Sequence, residues 1–209
     1  LVCPICLILV HRHLKICLFI FFHEVHHATL CRSAMYEGWL IGVVIPARNE
    51  AEHLPRVLDT IPKFVDKVVV IDDGSTDGTG KLVGSAELVT LDGEGVGAAI
   101  DSGHQHLLKL FDDKFISVVM AGDGQMDPSD MERLISPVVN GNAHHVKGER
   151  IDRAGKMPIY RRLGTFLLSI LTTFACGQTI RDPQCGYTAT SSEVLRTWNW
   201  TVSWKGYGY

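Results

Sequence analysis

From Leu40 onward the chain alternates short apolar runs with polar clusters. Leu40–Pro46, Lys67–Asp72, Glu87–Leu91 and Phe115–Ala121 have strand length and are rich in Val, Ile and Leu. Most of these runs are apolar at consecutive positions, so both faces of each strand must be covered, as in a parallel sheet. Helical stretches are predicted between them, near Glu50–Ile61, Gly78–Val83 and Val96–Leu110. Strand, loop and helix in that rhythm predict an α/β fold, a mostly parallel sheet flanked by helices. In such a sheet the strand carboxyl ends share one edge, and ligands bind outside that edge.

A later apolar stretch, Leu163–Ala175, is too short to span a bilayer. It reads either as an amphipathic helix at a membrane surface or as a buried core helix.

The first 34 residues break the rhythm. They hold five of the ten histidines and four of the six cysteines. They read as an atypical segment outside the domain, which is expected to begin near Met35. Cys3 and Cys6 with His11 and His13 offer zinc ligand types, though the usual finger spacing is lacking. The apolar runs Leu7–Val10 and Ile16–Phe22 are split by His11-Arg12-His13 and Lys15, which suits neither a spanning helix nor a signal peptide.

The polar clusters sit where the fold class demands, directly after strands. They are Pro46-Ala47-Arg48-Asn49-Glu50, Asp72-Asp73-Gly74-Ser75-Thr76-Asp77-Gly78-Thr79, and Ala121-Gly122-Asp123-Gly124-Gln125-Met126-Asp127-Pro128. Carboxylates at such positions can fix a hard divalent cation against diphosphate oxygens. Asp123 and Gln125 are the paired oxygen donors, and Asp127 is either a third ligand or the cap of a helix opening at Pro128. Asp72 and Asp73 make a tight turn, yet two adjacent carboxylates repel, so one is expected to meet a ligand N–H or hydroxyl. Asp77 reads as a cap. Glu50 is either a first-turn acid or a nucleotide contact.

Six segments in order (PARNEAEHL, VVVIDDGSTDGT, GVGAAIDSG, VVMAGDGQMDP, VKGER and DPQCGYTA) resemble family 2 glycosyltransferases. The dolichyl-phosphate mannose synthases and other polyprenyl-phosphate sugar transferases are the most similar group. The resemblance implies a GT-A fold, a UDP- or GDP-sugar donor, a divalent metal (magnesium or manganese), and inverting transfer to a polyprenyl (dolichyl) phosphate acceptor. It places Pro46, Ala47, Glu50 and Asp73 along the base and ribose, and Asp123 and Gln125 at the metal. Arg150 in VKGER would meet the donor phosphates. Arg162 would meet an acceptor phosphate or, like Arg161, would simply be solvated surface charge. The first acid of the family's Asp-X-Asp element is replaced here by Ala121. The family's chain continues beyond the final Tyr-Gly-Tyr, so residues 35–209 read as a catalytic domain truncated at its C-terminus. The implied location is cytoplasmic, peripheral to a membrane face.

Apolar content of 46% and charged content of 21% fit an ordinary globular chain, and a net charge of −3 gives no reason to expect nucleic acid as a partner. Gly93-Glu94-Gly95-Val96-Gly97 is no dinucleotide fingerprint: it follows the third strand and its last glycine comes one residue early. Cys176 and Cys185 read as reduced thiols. A nucleotidyltransferase would carry a Gly-rich basic loop after its first strand, which PARNE lacks. A non-catalytic nucleotide-sugar-binding module would bind the donor without turnover. A membrane-surface interaction protein would bind lipid and ignore nucleotides.

Overall fold

The structure is a computed structural model that describes residues 35–149, 159–177 and 182–198. Residues 1–34 and Arg150 lie outside them, and so do the zinc and signal readings. Six strands form one sheet in the order β3-β2-β1-β4-β6-β5. They are β1 (Leu40–Ala47), β2 (Lys67–Asp73), β3 (Glu87–Leu91), β4 (Phe115–Val119), β5 (His145–Lys147) and β6 (Thr188–Ser191). The first four pair in parallel, while β6 runs antiparallel to both β4 and β5. The expected mostly parallel sheet is present. Its antiparallel edge goes beyond the sequence pattern, because HVK and TATS are too short and too polar to announce strands.

Helices cover both faces, which is why the strands are apolar at consecutive positions. On one face Ile41, Val43 and Ile45 of β1 pack with Ile116 and Val118 of β4. Against them lie α1 (Leu54–Asp59) through Leu54 and Val57, and α3 (Met131–Val139) through Met131, Leu134 and Ile135. On the other face Val44, Val69, Ile71 and Phe115 meet α2 (Val96–Leu110) and α5 (Ser192–Thr197). Gly42 and Gly103 let α2 lie close to β1: a Cβ at Gly103 would fall 2.2 Å from Val44 Cγ1. One polar pair is buried in this layer, His104 of α2 with its Nδ1 2.9 Å from Ser117 Oγ of β4.

Two expected helices are shorter than read. The stretch from Glu50 is a turn until α1 begins at Leu54 with Pro55 in its first turn, so Glu50 is not a first-turn acid. Gly78–Val83 yields only a 3₁₀ turn, Thr79–Lys81, after Gly78 at φ 91°. The apolar stretch beyond β5 is a helix, α4 (Ile159–Cys176). Phe174 on it is 91% exposed and Phe166 63%, and Leu167, Ile170 and Leu171 are exposed as well, so the buried-core reading fails. Among the described residues no helix is long and apolar enough to cross a membrane.

Candidate active site

Three loops meet at the carboxyl edge of β1, β2 and β4. Ala47 of β1 lies in register with Asp72 of β2, which brings the first two polar clusters side by side. β4 ends at Val119, yet Met120 N–H still donates to Val44 O and Gly122 N–H to Pro46 O, which carries the third cluster beside β1. Gly122 lies against β1, where a Cβ would touch the Ala47 Cβ at 3.4 Å.

The first two loops are stitched together by reciprocal bonds. Asn49 sits at φ 58°, a conformation Asn tolerates, and its N–H donates to Ser75 Oγ at 2.9 Å. Its Oδ1 accepts from Thr76 N–H. Glu50 N–H donates to Thr79 Oγ1, and Ala51 N–H to Asp77 Oδ2, both at 2.9 Å. Asp77 also accepts from Thr79 N–H and the Thr79 hydroxyl at the 3₁₀ turn, and the Thr79 hydroxyl first, then the backbone N–H groups, hold its carboxyl below the usual range. The acid thus caps as its position indicates, and it takes a second partner, Ala51, that sequence spacing does not reveal.

Both acids of the Asp72-Asp73 pair have partners within the chain. Asp72 Oδ1 accepts from Ser75 N–H, closing the turn. Asp73 accepts from Glu94 N–H at 2.7 Å and Gly95 N–H at 2.9 Å, just ahead of α2, and lies 3.9 Å from Arg48 Nη1. Asp72 closes the turn, and Asp73 reaches out of it to the loop ahead of α2. GEGVG is the anchored start of α2, with Gly95 at its N-cap. Arg48, which the sequence gives no reason to single out, has its guanidinium over Gly93 and 59% of its side chain exposed to the cleft.

Asp123 lies in the third loop, with Oδ1 accepting from Gln125 N–H at 3.0 Å. Glu50 is pushed above the usual carboxyl range, first by burial and then by the nearby charge of Asp123. Pro46, Ala47, Glu50, Asp73, Asp123 and Gln125 thus stand on one edge. Asp127 takes the capping role, accepting from Ser129 N–H at 2.9 Å. Arg162 lies on α4. Cys185 is buried with a free thiol.

No cluster of three or more His, Cys, Asp and Glu with metal-binding geometry occurs among the described residues. A closed protein cage is thereby unsupported. The donor set instead suits a magnesium-type ion held by one carboxylate, Asp123, together with substrate phosphate oxygens.

A family model for glycosyl transferase family 2 matches residues 42–199. The chain belongs to glycosyl transferase family 2. Relatives in this family include the UDP-N-acetylglucosamine–dolichyl-phosphate N-acetylglucosaminyltransferase of Methanococcus voltae, 29% identical over 75% of this chain and 71% of that protein. The undecaprenyl-phosphate mannosyltransferase of Micrococcus luteus is 31% identical over 79% and 72%. Among solved structures, glucosyl-3-phosphoglycerate synthase from Mycobacterium tuberculosis with Mn2+, UDP-glucose and phosphoglyceric acid superposes with a TM-score of 0.57 at 25% identity. The match covers 75% of this chain but only 58% of that one. The family 2 fold expected from the six segments, the GT-A arrangement, is the one found.

Proposed function

We propose that this chain transfers a sugar from a UDP- or GDP-sugar to a polyprenyl phosphate, with inversion at the anomeric carbon. The observation that carries this reading is the meeting of three strand-end loops around Asp73, Glu50 and Asp123. Support comes from relatives named for dolichyl-phosphate and undecaprenyl-phosphate transfer, and from a fold neighbour holding Mn2+ and UDP-glucose.

In this reading Pro46, Ala47, Glu50 and Asp73 hold the nucleoside. Asp123, with Gln125 beside it, would hold magnesium or manganese, which when bound supplies positive charge to the departing diphosphate. Ala121 leaves the protein one carboxylate short of the family's pair, so Asp123 would supply the charged protein ligand to the ion. Arg150 would neutralise the donor phosphates, and Arg162 the acceptor phosphate, since a guanidinium pairs two oxygens at once. An acceptor phosphate is already anionic, so it attacks without a strong general base.

α4 exposes Phe166, Leu167, Ile170, Leu171 and Phe174 on a helix whose first turn includes Arg161 and Arg162. An apolar face on a helix with basic residues at its start suits the surface of an anionic membrane, where a lipid-linked acceptor resides. Peripheral attachment at a cytoplasmic membrane face follows. The catalytic domain in this reading runs over residues 35–209.

A thermal-shift titration of the chain with UDP, GDP and their sugar conjugates, with and without manganese, tests the donor site. The expected result is a metal-dependent shift with one nucleotide, abolished in Asp123→Asn. A folded sample that ignores every nucleotide would overturn the reading. A shift without turnover on a polyprenyl phosphate would favour a non-catalytic binding module, the outcome that Ala121 makes worth testing.

A further inference from the structure

Three of the six family segments meet at one side chain to which the proposed mechanism gives no role. Tyr187 follows Gly186 in the DPQCGY segment and is 7% exposed. Its hydroxyl donates to the carbonyl oxygen of Asp127 at 3.3 Å, at the far end of the Asp123 loop. Its own carbonyl accepts from Gly148 N–H at 2.8 Å, two residues before Arg150. One residue thus ties the metal loop to the segment that leads into the phosphate-binding arginine.

The neighbours of Tyr187 reinforce the link. Met126 turns back into the loop, where its Sδ accepts from Ala121 N–H at 3.3 Å. Met126 Cε lies beside Gly186, 3.4 Å from where a Cβ would stand. A Cβ at Gly148 would lie 3.2 Å from Tyr187 O and 3.4 Å from Cys185 Sγ, so that strand exit also sits tightly against Tyr187. Burial, and then the charges of Asp130 and Asp127, push the Tyr187 hydroxyl upward, so it remains a donor throughout the working pH range.

We propose that Tyr187 is a positioning residue that fixes the Asp123 loop against the exit of β5 at Gly148, and so sets how well Asp123 meets a metal–diphosphate. The proposal rests on the donor-site reading. With a single protein carboxylate at the metal, the position of the loop matters more than it would for a pair. A tether reaching across the loop, rather than another ligand, is how this chain holds Asp123 in place.

The test uses the 209-residue chain and calorimetric titration of Mn2+ in the presence of UDP, and separately of GDP. Tyr187→Phe keeps the ring in the core and removes only the hydroxyl. The expected result is Mn2+-dependent nucleotide affinity weakened roughly tenfold, with metal-free nucleotide binding and the thermal midpoint unchanged. Gly148→Ala, which presses on the other end of the tether, is expected to weaken the same metal-dependent component. Metal-dependent affinity in Tyr187→Phe equal to that of the wild type overturns the proposal while leaving the donor site intact. A Tyr187→Phe chain that unfolds, or loses metal-free binding equally, assigns the hydroxyl a purely structural role and also overturns it. Absence of any metal-dependent nucleotide binding in the wild type defeats the donor-site reading, and the proposal with it.

Discussion

Asp73 and Gly95 are joined at the carboxyl edge of the sheet: Oδ2 of the acid accepts the glycine N–H at 2.9 Å while Oδ1 takes that of Glu94. The carboxylate therefore does two tasks, because the loop it anchors borders the cleft it faces. Asp73→Asn keeps one acceptor oxygen and turns the other into a donor facing an N–H. The expected cost is about 1–3 kcal/mol, the typical penalty for an unsatisfied buried donor, read by urea unfolding. Nucleotide affinity should fall as well, because the loop at Gly93–Gly95 loses its tether.

Thr79 is the hinge pin of the two stitched loops. Its hydroxyl donates to Asp77 and accepts from Glu50 N–H, and the residue is fully buried. Thr79→Val preserves shape and removes both bonds, with an expected loss of about 1–3 kcal/mol in urea unfolding. Thr79→Ser should restore most of it. If the valine variant matches the wild type, the stitching does not hold the loops.

Acid should loosen the fold before it touches most carboxylates. Burial holds His104 down to about 3, with the nearby His145 adding to the effect, and burial lowers His145 too. His104 stays neutral in the folded chain while the unfolded chain takes up protons below about pH 6.5. Stability is therefore full above that pH and declines toward pH 3, by at most ~1.4 kcal/mol per pH unit from His104. Glu50 and Asp66, raised by burial, work in the opposite direction at lower pH. Unfolding free energies at pH 7 and pH 5.5 should differ in the wild type and differ less in His104→Gln. Equal values in the wild type would contradict this account.

α4 offers the membrane test. Leu167→Gln with Leu168→Gln replaces two exposed apolar side chains without disturbing the sheet core. Association with anionic liposomes should drop several-fold in a flotation assay, while the thermal midpoint stays put. Unchanged flotation would remove membrane contact from the proposed function.

Much of the sheet was legible because β1, β2 and β4 are buried on both faces, so Val and Ile recur at consecutive positions, with Ser117 inside β4 as a polar exception. The whole of β3 and α2 falls where the pattern puts it, and β1 starts at the expected Leu40 and runs one residue further, to Ala47. The short edge strands were hidden for the opposite reason: β6 is Thr-Ala-Thr-Ser, whose Thr190 hydroxyl pairs with the His145 ring across the strand. At the site, residue types revealed which loops matter but not which partner each acid takes. Asp72, Asp73 and Asp77 bond to backbone N–H groups, two of these acids reaching residues 21–26 positions away, and spacing carries no trace of such contacts. Tyr187 gives no signal of its tether because an aromatic in an apolar neighbourhood reads as core, and its core position is real.

The position of β6 between β4 and β5 bears on how the chain is assembled as it leaves the ribosome. β5 pairs with β6 alone, so residues 145–147 have no sheet partner until residues 188–191 have been synthesised. The parallel unit β3-β2-β1-β4 can close earlier, since all of its strands and α2 lie before residue 120. A nascent chain thus carries the stitched loops and the Asp73 anchor well before Tyr187 can reach Asp127. During that interval β4 presents an open parallel edge, and Ile116 and Val118 wait for Ala189 to cover them.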